Sequence, residues 1–96
     1  MKLSIIIPIK NEELLIKKIT EQLQSKLKNL PYEIIFINDF STDNTVKITE
    51  EIIKDKPQFN IFHNERRGLG GAITQGINKS KGEAICIMMA DLSDSI

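Results

Sequence analysis

Leu3-Ser4-Ile5-Ile6-Ile7-Pro8-Ile9-Lys10-Asn11-Glu12-Glu13 opens the chain and decides how the rest is read. The run Leu3–Ile7 is almost continuously apolar and rich in isoleucine. A strand covered on both faces reads this way, and such strands belong to mainly parallel sheets. Proline and a cluster of polar and acidic residues follow at once. An amphipathic pattern then begins, with Leu15, Ile16, Ile19, Leu23 and Leu27 on one stripe at spacings of three and four. The spacing predicts a helix from Glu12 to Leu27, capped by Asn11, with Glu12 and Glu13 at the positive end of its dipole.

Working outward, the same alternation repeats. Apolar runs recur at Ile34–Ile37, Asn60–Phe62 and Ala84–Met89. A second helix is predicted from Asp43 to Lys54, capped by Ser41 or Thr42, with Val46, Thr49, Ile52 and Ile53 facing inward and Pro57 beyond its end. A third is predicted from Leu69 to Lys79, where Leu69, Ala72, Ile73, Gly76 and Ile77 make a narrow stripe suited to close packing on a sheet. The order β-α-β-α-β-α-β defines an α/β fold. Right-handed crossovers then favour a four-stranded, mainly parallel sheet of order 3-2-1-4 with helices on both faces, in three layers and Rossmann-like. Ligands of open sheets bind beyond the carboxyl ends of the strands, where the chain changes direction. That rule selects Pro8–Glu12, Asn38–Thr42 and Ala90–Asp94.

Composition limits the function. The 96 residues suit one domain, and 13 basic residues balance 13 acidic ones, so no broad basic field for nucleic acid exists. No apolar run reaches the roughly 20 residues of a membrane span. Cys86 is the single cysteine and reads as a small core residue inside a strand. With no internal disulfide possible and no signal-peptide pattern, the expected location is cytoplasmic, the inner face of the membrane included. His63 reads as a strand-end residue, with no second histidine to build a metal cluster. Gly68, Gly70 and Gly71 either cradle phosphate or allow tight helix packing. Arg66 and Arg67 either meet a diphosphate or form a solvated pair.

Four stretches in chain order carry a resemblance. Ser4-Ile5-Ile6-Ile7-Pro8-Ile9-Lys10-Asn11-Glu12-Glu13 resembles the opening of family 2 glycosyltransferases, with its Pro-x-x-Asn-Glu strand end. Ile37-Asn38-Asp39-Phe40-Ser41-Thr42-Asp43-Asn44-Thr45 resembles the Asp-Asp-Gly-Ser-x-Asp-x-Thr turn of that family. Arg67-Gly68-Leu69-Gly70-Gly71-Ala72, then Gly76 and Lys81-Gly82, resembles its third block. Together with Ala90-Asp91-Leu92-Ser93, that block is most similar to the branch that moves a hexose to dolichyl or undecaprenyl phosphate. The resemblance implies the nucleotide-binding half of a GT-A domain over residues 1–96 and a UDP- or GDP-sugar donor. It implies nucleotide-sugar-binding roles for Pro8, Lys10, Glu12, Ile37, Asp39, Arg67, Ala90 and Asp91, with Asp39 on the base. It further implies Mg²⁺ or Mn²⁺ held by Asp91 and Ser93.

Two positions depart from the pattern. Met89 stands where the first acid of an Asp-x-Asp motif is usual, which weakens the metal site. Phe40 stands where glycine is usual, so a positive φ there would be strained. The family's acceptor site and catalytic base fall mostly past the length of this chain, so the chain alone is expected to be incomplete as a catalyst. Two alternatives to an enzyme stay open: a non-catalytic nucleotide-binding remnant, and an assembly module that dimerises or oligomerises through an exposed fourth strand.

Overall fold

A computed structural model describes residues 2–89. Ala90, Asp91 and Ser93, and with them the expected metal ligands, lie outside the described residues. The elements run β1 (Leu3–Ile9), α1 (Ile16–Leu27), β2 (Tyr32–Asn38), α2 (Thr45–Ile53), β3 (Phe59–His63), α3 (Leu69–Lys79) and β4 (Ala84–Ile87). All pairings are parallel, and the strand order is β3-β2-β1-β4, as the sequence predicts.

The isoleucine runs are explained by which layer each residue meets. Ile5, Ile7 and Ile9 of β1 join Ile34 and Phe36 of β2 and pack under Ile16, Ile19 and Leu23 of α1 and Ile53 of α2. Ile6, Ile35 and Ile37 face the other way and pack under Ala72 of α3. Successive side chains point to opposite faces, so a strand buried on both sides must be apolar at almost every position. Pro8 sits in β1 without losing a ladder bond. Met88 N–H donates to Ile6 O, so the even residues of β1 turn their backbone toward β4, and Pro8 lies past the paired residues of that strand.

α3 starts and stops where the sequence predicts, but only Ala72 and Gly76 of its stripe are buried. Leu69 and Ile77 are exposed. The reason is the closeness of the contact. A Cβ on Gly76 would lie 2.3 Å from Cγ2 of Ile6. A helix this near the sheet meets it along a single line of small residues.

Two further expectations are corrected. Asn11 does not cap α1, whose first residue is Ile16; residues 12–15 form a turn, with Leu15 and Ile16 N–H both donating to Glu12 O. Cys86 is exposed rather than buried, because β4 is the edge strand and its Ile85 and Ile87 are exposed as well. At the opposite end of the sheet from the candidate site, the buried Glu33 carboxylate accepts from Ser4 Oγ and Lys81 N–H, while Gly82 N–H donates to Ser4 Oγ at 2.8 Å. Burial raises the Glu33 pKa, but these donors and the Lys2 charge outweigh it and hold the carboxyl below its ordinary value.

Candidate functional site

The loops after β1 and β2 are stitched together. Asn11 has a left-handed backbone, φ 54°, which asparagine tolerates. That conformation turns its side chain onto the neighbouring loop, where Oδ1 accepts from Thr42 N–H at 2.8 Å and Asp43 N–H at 3.3 Å. In return Asn11 N–H donates to Ser41 Oγ at 3.0 Å, and Glu12 N–H donates to Thr45 Oγ1 at 2.8 Å. Ser41 and Thr42 are therefore engaged across the loops and do not cap α2. Asp43 serves that helix instead, accepting from Thr45 N–H and from Thr45 Oγ1.

Asp39 lies at the centre of the rim. Its N–H donates to Ile9 O, which fixes it directly beyond the β1–β2 ladder. Its carboxylate is buried, and Oδ1 accepts from Gly68 N–H at 2.9 Å and from Asn64 Nδ2 at 3.0 Å. Gly68 reaches it with φ 111°, a conformation that side chains rarely adopt. Burial raises the Asp39 pKa. The Gly68 and Asn64 donors, with the Lys10 and Arg67 charges, more than offset that and leave it lowered. A buried carboxylate thus stays ionised. Both protein donors land on Oδ1, and among the described residues no hydrogen bond goes to Oδ2, which is left for a ligand donor.

Asn64 is a residue that the sequence reading missed. It is buried, its backbone N–H donates to Asn38 O, and its amide bonds Asp39 and Gly68 O while its Oδ1 accepts from Arg66 N–H. One side chain thereby ties the end of β3 and the start of α3 to Asp39. The signal is its place: it follows β3 directly, whereas the segments that the switch-point rule selects follow β1, β2 and β4.

An open pocket of about 220 Å³ is lined by Pro8, Ile9, Lys10, Glu12, Asp39, Leu69 and Met89. Closed small-molecule sites run to roughly 300–1,000 Å³, so this pocket suits part of a ligand rather than all of a nucleotide sugar. Its apolar members can pack against a ring, and its carboxylates can accept from N–H or O–H groups. The structure therefore brings Pro8, Lys10, Glu12 and Asp39 together as expected, with Met89 at the lip. It does not bring Ile37 there, since that side chain is fully buried in the core beneath α3. Arg67 also stays off the pocket wall. Its guanidinium carbon lies 4.5 Å from the centroid of the Phe40 ring.

Phe40 has φ 58°, so the strain foreseen at that position is present. A left-handed non-glycine residue costs about 1–2 kcal/mol. An exposed cation–π contact offsets only about 0.5–1 kcal/mol of that.

Among the described residues, no group of three or more His, Cys, Asp or Glu could hold a metal ion. The thioether of Met89 is a poor partner for a hard cation. The described residues thus do not themselves provide a Mg²⁺ or Mn²⁺ site of that kind.

A four-stranded parallel sheet in this order with three helices is the fold of part of the GT-A glycosyltransferase domain. The sequence model of glycosyl transferase family 2 matches residues 4–95, and the chain belongs to that family. It is 32% identical over 92 residues to dolichol-phosphate mannosyltransferase of Pyrococcus furiosus, covering 96% of this chain and 26% of that protein. It is 34% identical over 97 residues to undecaprenyl-phosphate 4-deoxy-4-formamido-L-arabinose transferase of Proteus mirabilis, covering 97% of this chain and 30% of that one. Among solved structures, S. aureus TarS 1-349 in complex with UDP superposes with a TM-score of 0.81 at 26% identity, over 95% of this chain and 28% of that one. The chain thus spans less than a third of the length of these relatives. No helix among the described residues is long and apolar enough to cross a membrane.

Proposed function

We propose that this chain binds the nucleotide part of a UDP- or GDP-sugar, as the donor half of a transferase that moves a hexose to a polyprenyl phosphate or another hydroxyl acceptor. One observation carries the reading: a buried, ionised Asp39 with one oxygen held by Gly68 and Asn64 and, among the described residues, no hydrogen bond on the other, in an open pocket that also holds Pro8, Leu69 and Met89. A carboxylate so placed accepts from a ring N–H and selects a base by its edge. Pro8 and Leu69 cover the ring faces, Glu12 accepts from ribose hydroxyls, and Lys10 and Arg67 supply positive charge toward the diphosphate. The UDP complex of TarS and the lipid-phosphate names of the two relatives support donor and acceptor class.

A divalent ion enters this reading through Asp91 and Ser93 alone. When bound, it would neutralise the departing diphosphate. The described residues do the binding and orienting. They hold the base, fix the sugar's approach through the stitched loops, and keep Asp39 charged.

Calorimetry with UDP and GDP, with and without Mn²⁺, tests the reading. Binding to one of them, lost in Asp39→Ala, is the expected result. No binding to either at millimolar concentration rejects it.

A further inference from the structure

Phe40 belongs neither to the pocket wall nor to the core, yet it holds a strained backbone beside the residue on which base binding turns. Two neighbours in one loop meet two neighbours in another. Asp39 accepts from Gly68 N–H, and the ring of Phe40 lies under the guanidinium of Arg67. We propose that Phe40 is a positioning residue for nucleotide binding: its ring, held out by the left-handed turn, parks Arg67 beside Asp39, so that a cation and a carboxylate meet the ligand as a fixed pair. This inference rests on the nucleotide-binding reading above.

Three observations support it. The stack returns less than the backbone conformation costs, so stability does not account for a ring at this position. Arg67 and Phe40 meet where their chain neighbours Gly68 and Asp39 are hydrogen-bonded, and the Arg67 charge helps to lower the Asp39 pKa, while among the described residues no ion pair closes between the two side chains. The Phe40 ring centroid lies 4.5 Å from the guanidinium carbon, and among the described residues no hydrogen bond engages the Arg67 side chain, so its N–H groups can meet the acceptor oxygens of a base or a diphosphate. Exposed arginines are otherwise mobile, and a fixed one loses less entropy when a ligand arrives.

The test is a binding cycle on the whole chain, using whichever of UDP or GDP the wild type binds. Phe40→Leu, which keeps bulk but removes the aromatic face, and Phe40→Gly are each expected to weaken binding about threefold to fivefold. Phe40→Trp is expected to bind within about twofold of wild type, because indole is the better cation–π partner. Combining Phe40→Leu with Arg67→Ala is expected to be no weaker than Arg67→Ala alone, because Phe40 acts only through Arg67. The thermal midpoint of Phe40→Gly is expected to equal or exceed that of wild type, which a merely structural residue would not allow. Wild-type affinity in Phe40→Leu, or multiplying losses in the double variant, overturns the inference while Asp39→Ala still tests the reading beneath it. Failure of the wild type to bind any nucleoside diphosphate overturns both.

Discussion

Replacing Asn64 by alanine removes three side-chain hydrogen bonds at once: the amide to Asp39 Oδ1, the amide to Gly68 O, and the bond from Arg66 N–H. The bond to the charged, buried Asp39 is the strongest, at about 1.5–3 kcal/mol, and the two neutral bonds contribute about 0.5–1.5 kcal/mol each. Gly68 O and Arg66 N–H sit in partly buried bonds that water can replace, so the lower half of the range applies to them. The three together give an expected loss of about 2.5–5 kcal/mol. Urea unfolding followed by circular dichroism measures it as a lower midpoint at an unchanged slope. Asn64→Asp sharpens the test. A second carboxylate beside Asp39 disfavours double ionisation, so the pair would take up a proton at higher pH than either acid alone. Folded pKa values raised in this way penalise stability at neutral pH. The deficit of Asn64→Asp should therefore shrink as pH falls toward about 4, where one proton serves both groups. A loss under about 0.5 kcal/mol in Asn64→Ala, or a deficit in Asn64→Asp that does not change with pH, would show that Asn64 does not hold the site together.

Other outcomes follow from the packing. Gly76→Ala gains about 1 kcal/mol of helix propensity but drives a Cβ to 2.3 Å from the fully buried Ile6, and overpacking of that kind costs about 1–3 kcal/mol. A net loss of stability in thermal melts is expected, and a gain would mean that α3 can lift off the sheet. Glu33 has a lowered folded pKa, so its contribution is complete above its unfolded value of about 4.3 and disappears as pH falls through the folded value. Glu33→Gln should be less stable at pH 7 by about 1–3 kcal/mol and should lose less further stability below pH 4 than wild type. The exposed Ile85 and Ile87 on edge strand β4 are expected to drive self-association. Light scattering should detect it and Ile85→Lys should reduce it; a strictly monomeric wild type at high concentration would contradict this.

The fold was legible because its information is local and periodic. Strands buried on both faces leave unbroken isoleucine runs, and the stripe of α1 marks its inner face. Right-handed crossovers then limit the strand order to a few arrangements, of which β3-β2-β1-β4 is the mononucleotide-binding one. What the sequence hid was side-chain aim. Asn11 has the composition of a cap, but a positive φ turns it onto the next loop, and no local pattern announces that. Cys86 sits in an apolar run that reads as core, yet burial depends on which strand is the edge, a property of the whole sheet. Asn64 is one polar residue among several after β3, and its role exists only because β2 places Asp39 within 3.0 Å of it. Phe40 was the exception. Its departure from glycine at a turn announced the strain that the backbone carries.

The account turns on where a nucleotide sits, and amide chemical-shift mapping reports that directly. Titrating UDP or GDP into ¹⁵N-labelled chain should move the amides of Asn11, Glu12, Asp39, Asn64 and Gly68, and leave Ser4, Glu33 and Gly82 at the far end of the sheet unmoved. Shifts concentrated at that far end, or none at saturating nucleotide, would contradict a donor site at the Asp39 rim.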